Sequence, residues 1–356
     1  LAKCLRRLGI ISMVEAKQIT CSRCICDTTL PGITFDDGGV CNFCHVHDKL
    51  DRAFPQGEKG KHILENAVLR VKRAGRGKKY DCIVGVSGGR DSTYLLYLLK
   101  QWGLRPLAIH FNDGFGNPVA GENMARATEK LGIDFRTITS DWRESKDLKI
   151  AFLKSSTPDI EQATDVGIGA ALYGAAVKER VRYIFIGLSF RTEGISPLEW
   201  NYLDGRYLKD VHGRFGSVPL RPWRPDDPGF HLDLPQMIYY AIWRRIKVIP
   251  AYYYYDYVRE DAEKILTDEL GWIYPGAHYY DDLYQALMTY YFRVKFNMDR
   301  RKFNYPALVR SGKMTRKTAP KNISGGCVIE DPEVIDLCIK RLGLSKEEFE
   351  KFLTHK

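Results

Sequence analysis

Ser87-Gly88-Gly89-Arg90-Asp91-Ser92 is the stretch that most constrains this chain. An apolar run, Cys82-Ile83-Val84-Gly85-Val86, precedes it, and Thr93-Tyr94-Leu95-Leu96-Tyr97-Leu98-Leu99, apolar at helical spacing, follows. The order predicts a buried strand, a glycine turn and a helix. Two glycines let the backbone pass close to a phosphate, and a helix N-terminus aims free N–H groups and a positive dipole end at it. Ser87 and Ser92 add hydroxyl donors, and Asp91 is a candidate magnesium ligand. The GxxxxGKS/T pattern of a Walker loop is absent. A plain strand-to-helix turn needs one glycine, not this whole run, so Val86 to Ser92 are assigned to a nucleotide.

Downstream, strand candidates Cys82–Val86, Pro106–Phe111, Phe135–Thr139 and Tyr183–Gly187 alternate with helix candidates Asp91–Trp102, Val119–Leu131 and Gln162–Val181. This order predicts an α/β fold, a doubly wound parallel sheet covered on both faces. Phosphate loops in such sheets sit at the carboxyl ends of strands. The segment 190–235, rich in Gly, Pro, Asp and Trp, reads as long substrate-side loops. From about Leu234 the chain turns helical and aromatic, through to a final helix near Lys346–Leu353. The expected divisions are a basic leader (1–20), a cysteine module (21–50), a helical and basic linker (51–79), the nucleotide-binding domain (80–233) and a helical C-terminal region (234–356). The 356 residues suffice for a full core. No apolar stretch reaches the length of a membrane span, and no signal-peptide core follows Lys3, Arg6 and Arg7. No membrane insertion and a cytoplasmic location are therefore expected. The net charge of +10 favours a polyanionic partner, although the six basic residues of Arg70–Lys79 read as a solvated linker.

Cys21-x2-Cys24, sixteen residues, then Cys41-x2-Cys44 is a metal-binding spacing. Paired CxxC knuckles supply four thiolates to one tetrahedral zinc, and such a closed site serves folding rather than chemistry. An iron–sulfur cluster or a redox dithiol is the alternative. Cys26, His45 and His47 are spare ligands that read more simply as loop residues. Cys82 and Cys338 read as core, Cys4 has no such spacing, and Cys327 in a Ser-Gly-Gly-Cys run is a weaker functional candidate.

Three further groups carry chemistry. His110-Phe111-Asn112-Asp113-Gly114 ends the second strand, where backbone groups can read a nucleoside or simply turn the chain. Gly187 and the cluster Ser189, Arg191 and Glu193 end the later strand, facing the same cleft. Arg191 would bind an anion, and Glu193 a substrate hydroxyl, an amine or magnesium. Lys295, Arg301 and Arg316, in two cation-dense stretches, are candidates for stabilising departing pyrophosphate; the plainer reading is solvated helix. The tyrosines of 252–257, with Tyr279, Tyr280, Tyr290 and Tyr291, read as packing, or as a stacking surface for a sugar or base.

The paired cysteine knuckles with Pro31-Gly32-Ile33-Thr34-Phe35-Asp36-Asp37-Gly38-Gly39 between them, the Ser87–Ser92 loop, His110–Gly114, Lys295–Lys302 and Ser311–Arg316 together resemble the N-acetyl sugar amidotransferases of bacterial surface-polysaccharide synthesis. That family lies in the PP-loop ATP pyrophosphatase (adenine nucleotide α-hydrolase-like) superfamily, to which the SGGxDS loop alone is similar. The resemblance implies ATP-dependent conversion of a sugar acetamido group to an acetamidino group, with AMP and pyrophosphate released. It implies ATP, magnesium and zinc as cofactors, and an N-acetylated, nucleotide-linked sugar as substrate. It also implies ammonia from a separate glutaminase and its barrel-shaped ammonia-conducting partner, since no Cys-His-Glu glutaminase module is evident in these residues. A tRNA-thiolating enzyme, which combines the same loop with CxxC modules, is the alternative and the one reading that calls for nucleic acid.

Overall fold

The computed structural model describes residues 19–197, 200, 203–276, 280–324 and 329–354. Nearly all of the basic leader, with Cys4, Tyr279 and Cys327, lies outside the described residues. Strands β1 (Cys82–Gly85), β2 (Pro106–Asn112), β3 (Asp134–Thr139), β4 (Tyr183–Ile186) and β5 (Lys247–Pro250) form one sheet in the order β3-β2-β1-β4-β5. Every pairing is parallel. β1 is buried along nearly its whole length, because strands flank it and helices cover both faces. Its side chains alternate between two cores: Ile83 joins Leu107, Ile109 and Ile184, whereas Cys82 and Val84 join Ala108 and Phe185. The chain builds outward from β1 to β3, then returns to the other side for β4 and β5. That reversal places a cleft at the carboxyl ends of β1 and β4.

The helices follow from local signals. The module carries α1 (Asn42–Ala53), and the linker is helix α2 (Gly57–Ala74), whose Leu64, Ala67, Val68 and Val71 are buried. Helix α3 (Arg90–Gln101) leaves the glycine loop and buries Leu95, Leu96, Leu98 and Leu99. Helix α4 (Pro118–Leu131) starts on Asn117, whose side chain accepts from the Val119 N–H, and ends on Gly132 in the left-handed conformation. Like α1 in the cysteine module, two further helices lie where the sequence reading placed none. In α5 (Trp142–Lys154), Leu148, Ala151 and Phe152 repeat at helical spacing behind an Asp141 cap. Helix α6 (Gln162–Lys178) covers the sheet, and α7 (Gly205–Phe215) lies inside the segment expected to be loop, packed on α5. The sheet also runs past the expected boundary at 233, because Lys247–Pro250 pairs with β4 as its fifth strand. The apolar run of β5 is only Val248 and Ile249, between Lys247 and Pro250, unlike the apolar runs of β1 and β4. Beyond it come α8 (Leu234–Ile238, preceding β5), α9 (Arg259–Leu270), α10 (Tyr284–Phe296), α11 (Arg301–Arg310), α12 (Thr318–Ser324), α13 (Pro332–Arg341) and α14 (Lys346–Thr354).

One buried ion pair joins the C-terminal helices to the sheet. Lys149 in α5 is 0% exposed, and its Nζ lies 2.8 Å from Asp113 Oδ2, just past β2. Lys149 also donates to Thr164 Oγ1 at 2.8 Å, and that hydroxyl donates to Asp113 at 2.7 Å. The ammonium stands 3.8 Å from the centre of the Tyr284 ring, the first residue of α10. Burial pushes the Asp113 carboxyl up, but Lys149, Thr164 and the Phe115 N–H together hold it below its usual value. Burial alone would strip the Lys149 proton, yet Asp113 and Asp282 keep it on.

Lys149→Met strands Asp113 in the interior and should destabilise the chain by about 3–5 kcal/mol in urea unfolding. Adding Asp113→Leu should recover part of the loss. Because the folded Asp113 pKa is depressed, the pair's contribution is present above the unfolded value of about 3.9 and fades as pH falls through the folded one. The gap between wild type and Lys149→Met should therefore narrow on acidification.

Candidate functional site

The glycine loop has one backbone solution. Gly88 has φ +82°, and a Cβ there would stand 2.1 Å from the Ala120 carbonyl oxygen, so only glycine fits. Gly89 starts α3 with no side chain to cap it, which leaves first-turn N–H groups for a ligand. The loop is locked from inside and outside. Ser92 Oγ accepts from the Ser87 N–H at 3.1 Å, Thr93 Oγ1 donates to the Gly89 carbonyl at 2.8 Å, and Trp272 Nε1 donates to the Gly88 carbonyl at 3.0 Å.

A cavity of about 590 Å³ lies over the carboxyl ends of β1, β2 and β4. Val86, Ser87, Gly89, Arg90, Asp91 and Ser92 line it, together with His110, Phe111, Gly187 and Glu193. Gly88 supports the loop from behind. Asn112 lines a neighbouring cavity of about 480 Å³, and its Oδ1 accepts from the Gly114 N–H. Ser189 is buried, and its Oγ accepts from the Arg191 N–H at 3.3 Å, so it shapes the turn that presents Glu193.

Four expected contacts lie elsewhere. Arg191 is buried and spends its guanidinium on Asp51 (Nε to Oδ1, 2.9 Å), the Tyr253 carbonyl (2.9 Å) and the Phe54 carbonyl (2.7 Å). It is a tie between α1 and the 189–193 turn, not an anion site. Lys295 donates to Ser156 Oγ at 2.9 Å and to the Phe352 carbonyl, fastening the last helix. Arg301 pairs with Asp299 at 2.7 Å. Arg316 donates to the carbonyls of Ser22 (2.8 Å) and Cys24 (2.9 Å), bracing the cysteine module. Arg300, one residue before Arg301, lines the cavity instead and donates to Gln285 Oε1. Successive residues entering a helix point about 100° apart, so composition alone does not say which of two adjacent arginines faces inward.

Beside Asp91 and Glu193, the loop faces an acid that the sequence reading missed. Asp281 reaches over it, with Oδ2 3.1 Å from where a Gly89 Cβ would stand. Burial pushes the Asp281 carboxyl up, against a hydrogen bond from Ser87. Asp91 Oδ1 accepts from Arg90 Nε at 2.8 Å and from the Tyr257 hydroxyl. Burial, then the charge of Asp91, pushes Glu193 up to about 8. These three carboxylates repel one another, and a divalent cation arriving with nucleotide phosphates would relieve that repulsion; magnesium is held in this way by one or two carboxylates plus phosphate oxygens. The deep end of the cavity mixes acids, Glu161 and Asp165, with Gln285 and Arg300, against the rings of Trp200, Phe292 and Phe303. Gln285 donates to Glu161 and accepts from Arg300.

The cysteine module fits one ion. The Sγ atoms of Cys21, Cys24, Cys41 and Cys44 are buried and all lie within 4.8 Å of one another. Cys21 and Cys44 are 3.8 Å apart, and Cys24 and Cys41 3.7 Å. A tetrahedral ion with metal–sulfur bonds of about 2.3 Å sets sulfur–sulfur edges of about 3.8 Å. A cubane cluster ties each thiolate to a different iron and holds them farther apart. The N–H groups of Cys24 (3.4 Å) and Cys41 (3.2 Å) point at Cys21 Sγ, and Arg310 Nη1 approaches Cys24 Sγ at 3.7 Å. His45 bonds Asp36 at 2.8 Å and His47 bonds Ser311 Oγ at 3.1 Å, so neither faces the thiolates. Cys26 is buried beside Arg310, outside the four-thiolate group.

Residues 276–356 match the family model of the LPS biosynthesis protein WbpG-like, C-terminal domain. An uncharacterised protein of Methanocaldococcus jannaschii is 29% identical over 126 residues, which is 35% of this chain and 44% of that protein. The match thus spans less than half of the relative's length. Among solved structures, the U34-tRNA thiolase NcsA of Methanococcus maripaludis, with its [4Fe-4S] cluster, is 14% identical over 92% of this chain and 99% of its own, with a TM-score of 0.33. The NH3-dependent NAD synthetase of Campylobacter jejuni is 16% identical over 37% and 58%, with a TM-score of 0.29. The NMN synthetase of Francisella tularensis is 19% identical over 45% and 75%, with a TM-score of 0.27. At such scores the strand order and the loop, not these likenesses, define the fold.

Glu193→Gln tests the strain on the cavity. A carboxyl with a raised folded pKa leaves the folded state holding an extra proton between the ordinary value of about 4.3 and 8. Its cost to stability therefore grows as pH rises across that window. The variant should match wild type in thermal midpoint near the lower limit and exceed it above the upper one. Gly88→Val should instead lower the midpoint at every pH, since the Ala120 backbone cannot yield.

Proposed function

We propose that the chain is an ATP-dependent, AMP-forming N-acetyl sugar amidotransferase. One juxtaposition carries the reading: the phosphate loop and the segment that matches the LPS biosynthesis family model face the same cavity, the first through Ser87–Ser92 and the second through Asp281, Gln285 and Arg300. ATP phosphates lie on the N-terminus of α3 and the hydroxyls of Ser87 and Ser92. Asp91 holds magnesium, which neutralises developing charge on the phosphates. Adenine lies against His110, Phe111 and Gly187. The sugar occupies the deep end, its ring faces on Trp200 and Phe303 and its hydroxyls on Glu161 and Asp165. Acids at that end disfavour phosphates, so a carrier nucleotide points toward the mouth.

The acetamido oxygen attacks the α-phosphorus, forming an O-adenylyl imidate and expelling pyrophosphate. Ammonia then adds to the imidate carbon, AMP departs, and an amidine remains. Glu193, with a pKa near the working pH, accepts the proton that the adding nitrogen sheds. Of the C-terminal cations, Arg300 rather than Lys295, Arg301 or Arg316 serves the cavity, at the sugar end, where its charge offsets Glu161 and Asp165. Ammonia comes from a separate glutaminase through a conducting partner, and the cysteine module holds zinc.

Incubation with ATP, magnesium, an ammonium salt and nucleotide-linked acetamido sugars should yield AMP, pyrophosphate and a sugar lighter by the exchange of oxygen for NH in mass spectrometry. Asp91→Ala should abolish both products, and Arg300→Ala should raise KM for the sugar more than for ATP. ADP and orthophosphate, or sulfur entering transfer RNA while every acetamido sugar is left unchanged, would overturn the reading in favour of another loop chemistry or of the thiolase. Metal analysis should find about one zinc per chain. Cys41→Ser should lose it and raise KM for the sugar more than for ATP, because Arg310 and Ser311 tie the module to the helix that carries Phe303; iron in place of zinc would refute the assignment.

A further inference from the structure

The helical stretch that precedes β5 has its faces reversed. Leu234–Ile238 continues into a π-helical turn, Tyr239–Trp243. Its inward side is Tyr240, fully buried and stacked on Tyr173 with ring centroids 4.7 Å apart. Its outward side is apolar: Leu234, Ile238 and Ile242 are exposed at i, i+4 and i+8, with Ile242 70% and Trp243 80% accessible. A surface helix of a soluble domain carries polar residues there, and contiguous exposed apolar side chains mark an interaction surface. Cations frame it. Arg244, Arg245 and Lys247 follow Trp243 directly, and the Lys247 N–H donates to the Arg182 carbonyl at 2.9 Å, which sets Arg182 alongside. Lys178 and Arg180 are exposed at the same end, and Glu179 between them is engaged by Arg136.

We propose that this face binds the surface of an anionic phospholipid bilayer. The stretch 234–243 lies in the headgroup layer, with Ile238, Ile242 and Trp243 in the acyl boundary and the cations on lipid phosphates. An apolar helical stripe, a tryptophan and a basic flank at one level are what such an interface accepts. A second copy related by a two-fold axis would set these cations against themselves. A ridge of side chains needs a matching groove on a protein partner but none on a fluid interface. Among the described residues no helix is long and apolar enough to cross a membrane, so the contact is peripheral. The face lies at the amino ends of β4 and β5, where Tyr183 pairs with Lys247. The cavity opens at their carboxyl ends, so docking leaves its mouth toward the solvent.

The full chain should float with vesicles of phosphatidylglycerol and phosphatidylcholine but not with phosphatidylcholine alone, and added salt should weaken the binding. Arg245→Ser with Lys247→Ser should cut partitioning about thirtyfold. Ile242→Ser with Trp243→Ser should abolish it, with circular dichroism and ATP cleavage as in wild type. Equal binding to both vesicle types, or variants that float like wild type, would overturn the proposal. So would self-association, or a complex with an acidic protein, that the Ile242 and Trp243 variant loses while wild type ignores the vesicles.

Discussion

The cavity depends on a positive charge that never sees water. Lys149 sits beneath a floor where Asp113, Glu161 and Asp282 converge, and each of these acids is recorded in its proton affinity. Asp113, paired directly with the ammonium, is held below its usual value, whereas burial still pushes Glu161 and Asp282 up. The pair also fixes geometry. It holds the end of β2, α5, α6 and the start of α10 at one point, so a helix from the C-terminal region becomes a wall of a cleft made by the sheet.

The cysteine module is equally a part of that wall. Helix α1 sends Asp51 to Arg191 and His47 to Ser311, while Arg310 and Arg316 reach back to the thiolates and their carbonyls. The two elements so gripped are the turn that presents Glu193 and the helix that contributes Phe303 and Asn304 to the cavity. An ion held by the four thiolates would thus bear on the shape of the cavity through rigid contacts, without offering an open coordination site.

The loop, four of the strands and the four clustered cysteines were legible in the sequence because each is a local pattern: a glycine turn between a buried strand and a helix, an apolar run, a fixed knuckle spacing. Helix α5 showed the same kind of signal at Leu148, Ala151 and Phe152 but was not read. Strand β5 has only Val248 and Ile249 as an apolar run, between Lys247 and Pro250, and its place in the sheet is set by its pairing with β4. The cations failed for a different reason. Arg191, Lys295, Arg301 and Arg316 are of the right type for anions, but Arg191 and Arg316 are claimed by partners more than a hundred positions away, Asp51 and Ser22, Lys295 by Ser156 and the last helix, and Arg301 by Asp299 in its own turn. Asp281 carries no motif, Arg300 stands in the Lys295–Lys302 stretch with nothing to set it apart from Arg301, and only the packing of α10 and the turn before α11 brings the two to the cavity.

The bracing of the cysteine module has a consequence for synthesis. Arg310 is 286 residues beyond Cys24, and both arginines are made long after the thiolates have left the ribosome. At 5–20 residues per second that interval is roughly 15–60 s. During it the four thiolates can gather an ion through their own short loop while the arginines that later close over them do not yet exist. An ion taken up in that interval would be in place before Arg310 and Arg316 close over the thiolates.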